Sequence, residues 1–309
     1  MSKIRTGLTV EEIEQFDTNG FVVVRNGISN AWVAQLQIAA EAWIETGFER
    51  KRSGEPMSEH GIIVQQEGEF VFSVEKLHNK SRIESLELLG HPLLRAISVA
   101  LCGEDVSPTY EGLSIRQFEN GLFSPWHQDA IHDRATRALT IIVALDPYHG
   151  ANGGERLLAG SQTEKQDICA LRDSRGWKTE GLEMPDLESG DMLLYDPMIA
   201  HCAPKMIEPG KVRLIDVRYR TPELATLEGF SAEWMQERNR LKGLAQWVYG
   251  KLHDGISDEE SFANDTLRKA VLHDAEPDIA GLYTHKAIYP SANFCLDFKT
   301  GDKIRVQEG

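Results

Sequence analysis

The amino-acid sequence predicts a mostly β core with flanking helices, and the core is expected to be a double-stranded β-helix, or jelly roll. Between residues 108 and 222, short runs rich in β-branched and aromatic residues alternate with Gly, Asn and Pro turns. Several short strands at this spacing are typical of a double-sheet jelly roll of the cupin-like kind. Before and after this region the apolar residues recur at helical spacing, which predicts N-terminal and C-terminal helices.

The first part of the chain, 1–107, is predicted to be a scaffold of helices and one strand. Thr9 and Glu12 stand in the spacing of a capping box, which predicts the start of a helix. The β-branched run Phe21–Arg25 predicts a strand, and a capped helix is expected over 30–44.

The segment between this scaffold and the β core contains a loop and a broken helix. Residues 50–70 are rich in Gly and charged side chains and are expected to form a loop over the functional site. Residues 81–101 have a helical pattern with a break at Gly90. In the predicted jelly-roll core, 108–222, the strongest strand patterns are Leu113–Phe118, Leu139–Leu145, Met192–Tyr195 and Val212–Tyr219.

The last part of the chain, 223–309, becomes helical again. Helices are expected over Phe230–Leu252 and Asp258–Leu272, followed by a hairpin over 287–302. No Pro-, Ser- or Gly-rich linker separates these elements from the core. We therefore expect one domain spanning 1–309, with the C-terminal elements packed on the core.

Composition limits the possible partners. The 309 residues are 41% hydrophobic and 26% charged, as in ordinary globular proteins, and the net charge is −15. Such an acidic chain is not expected to bind nucleic acid or an anionic membrane. No apolar run approaches the ~20 residues that span a bilayer, and the first residues lack the apolar core of a signal peptide. We expect a cytoplasmic protein with a small-molecule substrate, and the sequence leaves its oligomeric state open.

The cysteines are scattered along the sequence. They occupy positions 102, 169, 202 and 295 without any C-x-x-C motif. In a reducing compartment such residues are most simply free thiols, so no disulfide is expected.

The stretch 124–129 carries the strongest chemical signal. It contains His127 and Asp129, which are two residues apart and should point to the same face of a strand, with Gln128 turned away. A second His from another strand would complete a set of two His and one carboxylate, which leaves open coordination positions and suits non-haem Fe(II) oxygenases. The best candidate is His201, which follows an apolar strand-like run.

With this motif order, the chain resembles the phytanoyl-CoA dioxygenase family of iron- and 2-oxoglutarate-dependent oxygenases, up to about residue 222. The opening over 8–29, LTVEEIEQFDTNGFVVVRNGIS, is similar to the start of that family. The segment 152–162 resembles the family's turn that ends Pro-Gly-Ser-His. Here Ala159 and Gln162 stand in place of that Pro and His.

The resemblance implies that His127, Asp129 and His201 bind Fe(II), with 2-oxoglutarate as co-substrate and O2 as oxidant. It also implies a fixed cation for the far carboxylate of 2-oxoglutarate, and Arg213 follows His201 at the interval seen in the family. A planar guanidinium suits this task because it binds a carboxylate through two parallel hydrogen bonds.

Strand alternation separates three arginines into two groups. Arg213 shares a face with Ile215 and Tyr219, which we expect to be the barrel interior, whereas Arg218 and Arg220 fall on the other face and are expected at the surface. Tyr219 is then a possible lining residue of the co-substrate pocket, although core packing explains it equally well.

Two further polar residues are candidates. Gln117 precedes the metal motif where some family members place a polar residue near the co-substrate, although a surface strand explains it as well. His132 is a possible pocket residue at the rim of the site or behind the metal ligands, although a plain loop position explains it too.

The activity implied is hydroxylation, or another oxidation, of an unactivated C–H bond of a small metabolite, in a biosynthetic pathway. The carboxylate of Asp129 indicates oxygen chemistry rather than halogenation, because related halogenases have a small residue there. Two alternatives remain open: a metal-dependent cupin-type enzyme that does not use 2-oxoglutarate, and a non-catalytic jelly-roll binding protein.

Overall fold

The computed structural model describes residues 5–55, 59–65, 68–80, 82–133, 137–282 and 292–295. The helices in these ranges are α1 (Val10–Asn19), α2 (Asn30–Ser53), α3 (Glu84–Leu89), α4 (Pro92–Cys102), α5 (Ile168–Arg175), α6 (Pro222–Leu227), α7 (Ala232–His253), α8 (Asp258–Ala263) and α9 (Asp265–Ala280). The strands are β1 (Phe21–Val24), β2 (His60–Gln65), β3 (Gly68–Glu75), β4 (Ser107–Gln117), β5 (Ser124–Gln128), β6 (Ala138–Ala144), β7 (Arg156–Leu157), β8 (Met192–Tyr195), β9 (His201–Ala203), β10 (Lys211–Arg220) and β11 (Asn293–Phe294).

The strands form two antiparallel sheets that face each other. The larger sheet has the order β1-β8-β6-β10-β4-β3-β2, and the smaller has the order β11-β5-β9-β7. A buried apolar cluster joins their facing sides, with Leu157 from the small sheet packed among residues of the large one such as Ile142, Leu193 and Leu214. This is the jelly-roll core that the strand pattern predicted.

The other side of the large sheet is covered by helices. Ile215, Val217 and Tyr219 of β10 belong to one buried cluster with residues of α2 and α7, among them Trp43 and Leu241. The large sheet is therefore buried on both faces, and the order across the molecule is helices, large sheet, small sheet. This arrangement decides where the side chains of β10 point.

Local signals placed the N-terminal elements correctly. The side chain of Thr9 accepts a hydrogen bond from the backbone N–H of Glu12, and the backbone N–H of Thr9 donates to the Glu12 carboxylate. Ser29 caps α2 through the N–H of Trp32. The helix continues to Ser53, beyond the predicted end near residue 44, and stops at Gly54, which has a left-handed φ of 74°.

Two predicted segments differ from the structure. The stretch 50–70 is not a loop over the site: α2 runs into it, and β2 and β3 then form a hairpin at the edge of the large sheet. The tail hairpin over 287–302 lies mostly outside the described residues. The short described part, 292–295, contributes β11, which pairs with β5.

Among the residues that the structure describes, no helix is both long and apolar enough to cross a membrane.

Candidate metal centre

The predicted ligands converge at the small sheet. His127 on β5 lies directly opposite His201 on β9 in an antiparallel pair, and the centroids of the two imidazoles are 4.1 Å apart. Asp129 follows β5, with its Oδ1 3.4 Å from Nε2 of His127. One possible ligand atom from each of the three residues lies within 4.8 Å of the others, and all three side chains are buried.

Backbone carbonyls orient both imidazoles. Nδ1 of His127 lies 2.7 Å from the carbonyl oxygen of Pro125, and Nδ1 of His201 lies 2.9 Å from that of Ile199. A carbonyl oxygen can only accept, so each Nδ1 carries a proton, and Nε2 is the ring nitrogen left for a metal. Metal-binding histidines in proteins are commonly oriented by such a second hydrogen bond.

The third donor is a carboxylate held as an anion. Oδ2 of Asp129 accepts a hydrogen bond of 3.0 Å from the hydroxyl of Tyr195 and lies 3.3 Å from Nη1 of Arg218. Burial raises the pKa of Asp129, but the charge of Arg218 and the hydrogen bond to His127 outweigh it and hold this pKa well below its usual value.

The two histidines differ in their electrostatic setting. Burial and the neighbouring charge of His127 lower the pKa of His201 to about 3. Burial also lowers the pKa of His127, but the hydrogen bond and charge of Asp129 bring the net pKa above its usual value. Imidazole nitrogen and carboxylate oxygen together suit a divalent transition metal such as Fe(II), so the residues present fit the metal that the sequence predicts.

The predicted co-substrate arginine lies on the wrong face of β10. Nε and Nη2 of Arg213 bind the two oxygens of Asp146 at 2.8 and 2.7 Å, and Nη1 lies 2.9 Å from Glu41 on α2. Arg213 does share its face with Ile215 and Tyr219, but that face packs against the helices. The prediction that Arg213 faces the barrel interior is therefore wrong, and Tyr219 does not line the interior either.

The predicted position of Gln117 is wrong for a similar reason, because the residue that faces the interior is its neighbour in the strand. It pairs with Lys211 at the end of the β4–β10 ladder, whereas its neighbour Arg116 pairs with Val212, which belongs to the interior cluster. Directly paired residues point to the same side of a sheet, so Arg116 and not Gln117 faces the interior. His132 is buried, and its Nε2 lies 3.2 Å from Oδ1 of Asp196, which indicates a structural role beside the site.

Two interior arginines were missed as site residues. Arg218 contacts the ligand Asp129 and also binds Asp216 through Nη2 at 2.8 Å. Arg116 has Nη2 3.4 Å from Oε1 of Glu155, and its guanidinium carbon lies 5.7 Å from the ring centroid of Tyr148. For Arg218 the sequence carried no decisive signal, because both faces of β10 have buried apolar residues.

Gln162, which replaces the expected His, is buried and structural. Its Nε2 lies 3.3 and 3.2 Å from the carbonyl oxygens of Asp17 and Thr18. This side chain therefore ties the turn after β7 to the end of α1.

A disulfide corrects the prediction that all four cysteines are free. Cys169 on α5 is bonded to Cys295, whereas Cys102 and Cys202 are free and buried. The bond anchors β11, whose Phe294 stacks on the ring of His127 with centroids 5.1 Å apart and planes 5° from parallel. Sequence could not pair these cysteines because they are 126 residues apart.

The fold and the site together define a jelly-roll protein with a candidate metal centre of two histidines and one aspartate. The family model of phytanoyl-CoA dioxygenase matches residues 16–206, more than half of the chain. The chain belongs to this family, whose members are Fe(II)- and 2-oxoglutarate-dependent oxygenases.

Solved structures share the fold at low sequence identity. EvdMO1 is 21% identical with a TM-score of 0.59, and the match covers 69% of this chain and 50% of EvdMO1, so the chain spans about half of that protein. EctD from S. alaskensis, solved with 2-oxoglutarate and 5-hydroxyectoine, is 19% identical with a TM-score of 0.57, covering 70% of this chain and 77% of EctD. SnoK, a carbocyclase from nogalamycin biosynthesis, is 17% identical with a TM-score of 0.55, covering 69% of this chain and 84% of SnoK. No curated protein matches the sequence.

Proposed function

We propose that this protein is an Fe(II)- and 2-oxoglutarate-dependent dioxygenase that hydroxylates, or otherwise oxidises, an unactivated C–H bond of a small metabolite. The observation that carries the proposal is the convergence of His127, Asp129 and His201, whose ligand atoms lie within 4.8 Å of one another. Membership of the family supports the choice of iron and co-substrate.

The residues around the triad would each have a defined task. His127 and His201 would present neutral Nε2 atoms, because their Nδ1 protons are held by backbone carbonyls. Asp129 would supply the negative ligand, kept in place by Tyr195 and Arg218. When bound at this triad, Fe(II) and 2-oxoglutarate would provide the means to activate O2, with 2-oxoglutarate converted to succinate and carbon dioxide.

The substrate is proposed only by class. An acidic chain with no basic cluster beside the metal motif does not favour a coenzyme A thioester, so we propose a modest-sized metabolite of a biosynthetic pathway. The structurally similar proteins include an enzyme solved with 5-hydroxyectoine and a carbocyclase. The reaction products should therefore be examined for ring closure as well as for hydroxylation.

An anaerobic titration tests the proposal. Fe(II) is added to the metal-free protein, followed by 2-oxoglutarate, and the weak visible charge-transfer band of the ternary complex is recorded. We expect the band in the wild type and its loss in Asp129→Ala, whereas Asp133→Ala, which changes an exposed acid nearby, should retain it.

The same titration separates the alternatives. Metal binding without any response to 2-oxoglutarate would favour the cupin-type enzyme and overturn the proposal. Failure of the wild type to bind metal would favour a non-catalytic barrel. Succinate release in the presence of candidate metabolites then identifies the substrate.

A further inference from the structure

A buried ion pair inside the barrel has no role in holding the metal. Arg116 on β4 and Glu155, just before β7, approach each other across the interior, with Nη2 3.4 Å from Oε1. Glu155 precedes Leu157 by two residues and so shares its inward direction, and Leu157 lies opposite the ligand His201. The pair therefore lies between the two sheets, on the side of the small sheet that also carries the candidate metal centre.

Only one of the two carboxylate oxygens of Glu155 has polar partners in the described structure. Its Oε1 lies 3.4 Å from the hydroxyl of Tyr148, which also donates to the carbonyl oxygen of Gly153 at 2.8 Å. Its Oε2 is buried without a hydrogen-bond partner. A buried carboxylate oxygen without a donor is costly, so this arrangement needs an explanation.

The other interior arginine is already fully engaged. Arg218 binds Asp216 through both Nε and Nη2, at 3.1 and 2.8 Å, and also contacts the metal ligand Asp129. Using this guanidinium for another anion would take charge support away from a ligand. Arg213 is bound to Asp146 on the helix-covered face. Of these three arginines, Arg116 alone meets both conditions: it faces the interior, and the contacts described for it do not include a candidate metal ligand.

We propose that Arg116 binds the distal carboxylate of 2-oxoglutarate, and that Glu155 holds Arg116 until the co-substrate displaces it. This inference rests on the proposed function and assigns the co-substrate anchor to β4 rather than β10. An incoming carboxylate would exchange one 3.4 Å contact for a charge-assisted, two-pronged bond. Glu155 then acts as a built-in competitor, because two carboxylates near one guanidinium repel each other.

The test compares two probes in anaerobic Fe(II)-loaded protein. 2-Oxoglutarate carries the distal carboxylate, whereas pyruvate has the same 2-oxo acid end without it. Arg116→Gln should raise the Kd of 2-oxoglutarate roughly ten- to a hundredfold and leave the Kd of pyruvate nearly unchanged. Glu155→Gln should lower the Kd of 2-oxoglutarate by about tenfold, since a like charge is removed from the pocket.

Two further variants protect the result against misfolding and nonspecific charge effects. Arg116→Gln combined with Glu155→Gln leaves no unpaired charge in the interior, and it should still bind 2-oxoglutarate more weakly than Glu155→Gln alone. Arg213→Gln removes a guanidinium from the other face of β10 and should change neither Kd.

The outcomes separate this inference from the proposed function. If the wild type shows no charge-transfer band with 2-oxoglutarate, the proposed function itself fails. If the wild type binds 2-oxoglutarate but Arg116→Gln leaves its affinity unchanged, or weakens pyruvate equally, only the assignment of Arg116 is overturned. Unchanged affinity in Glu155→Gln would overturn the competitor role.

Discussion

Nη1 of Arg218 lies 3.3 Å from Oδ2 of Asp129, and so connects β10 to the candidate metal centre. Sequence alternation had placed Arg218 at the surface, but the structure puts it inside the barrel with only 13% of its side chain exposed. The same guanidinium binds Asp216. Arg218 thus holds the carboxylate ligand in position and keeps it negatively charged.

Replacing Arg218 should therefore weaken metal binding. In Arg218→Gln the Asp129 carboxylate loses its nearest positive charge, and residues that support metal ligands typically contribute ten- to a hundredfold in affinity. We expect the Kd for Fe(II), measured by competition with a chelator, to rise by roughly this factor. Arg213→Gln is the matched control, and an equal effect in both variants would contradict the role of Arg218.

Breaking the Cys169–Cys295 bond should destabilise the protein. A cross-link that closes a loop of this length restricts the unfolded chain, and such bonds contribute about 2–5 kcal/mol. We expect Cys295→Ser to lower the free energy of unfolding in urea by this amount, and a non-thiol reductant to have no further effect on the variant. In denatured, unreduced wild type, only Cys102 and Cys202 should react with a thiol reagent; reaction of all four cysteines would contradict the bond.

The C-terminal helices should be required for folding of the N-terminal ones. Glu87 on α3 is fully buried and is bound by both Nη atoms of Arg268 on α9, at 3.0 and 2.7 Å. Arg268→Met leaves this buried carboxylate with its contact to Nε2 of His253, at 2.6 Å, and loss of the guanidinium should cost about 1.5–3 kcal/mol of unfolding free energy. Adding Glu87→Gln should restore part of the loss, because a neutral amide costs less to bury.

This ion pair also bears on the prediction of a single domain over 1–309. A fragment 1–222 would lack Arg268, and we expect it not to fold alone. Limited proteolysis that releases a stable, folded 1–222 fragment would count against a single domain.

The buried His91 should make stability fall in mild acid. Burial lowers the pKa of His91 to about 4 from a usual value of 6.5. Below pH 6.5 the unfolded chain therefore binds a proton that the folded chain does not, and stability is lost as pH falls from about 6.5 to about 4. At pH 5 the contribution is about 2 kcal/mol.

His91→Asn tests this prediction while keeping an acceptor for the N–H of Leu93, which Nδ1 of His91 now caps at 3.2 Å. Urea unfolding is compared at pH 7.5 and pH 5 for both proteins. The loss of stability between the two pH values should be about 2 kcal/mol smaller in the variant. An equal loss in both proteins would contradict the prediction, because it would mean that His91 has the same protonation state in the folded and the unfolded chain.

Local sequence rules were enough to predict the three residues that meet at the candidate metal centre. His127 and Asp129 are two residues apart at the end of one strand, so a local rule brings their side chains together. His201 needed only an opposite strand, and the antiparallel pairing of β5 with β9 supplied it. The capped starts of α1 and α2 were also local, because the capping side chains bind backbone groups within the next turn.

Long-range packing sets which face of β10 is the interior. Alternation correctly separates Arg213 from Arg218, but it cannot say which of the two faces meets the small sheet. Hydrophobicity does not resolve the choice here, because Val217 on one face and Leu214 on the other are both buried. The helices that cover one face come from both ends of the chain, and the Cys169–Cys295 bond joins residues 126 positions apart. These contacts depend on packing between distant segments, which strand periodicity does not encode.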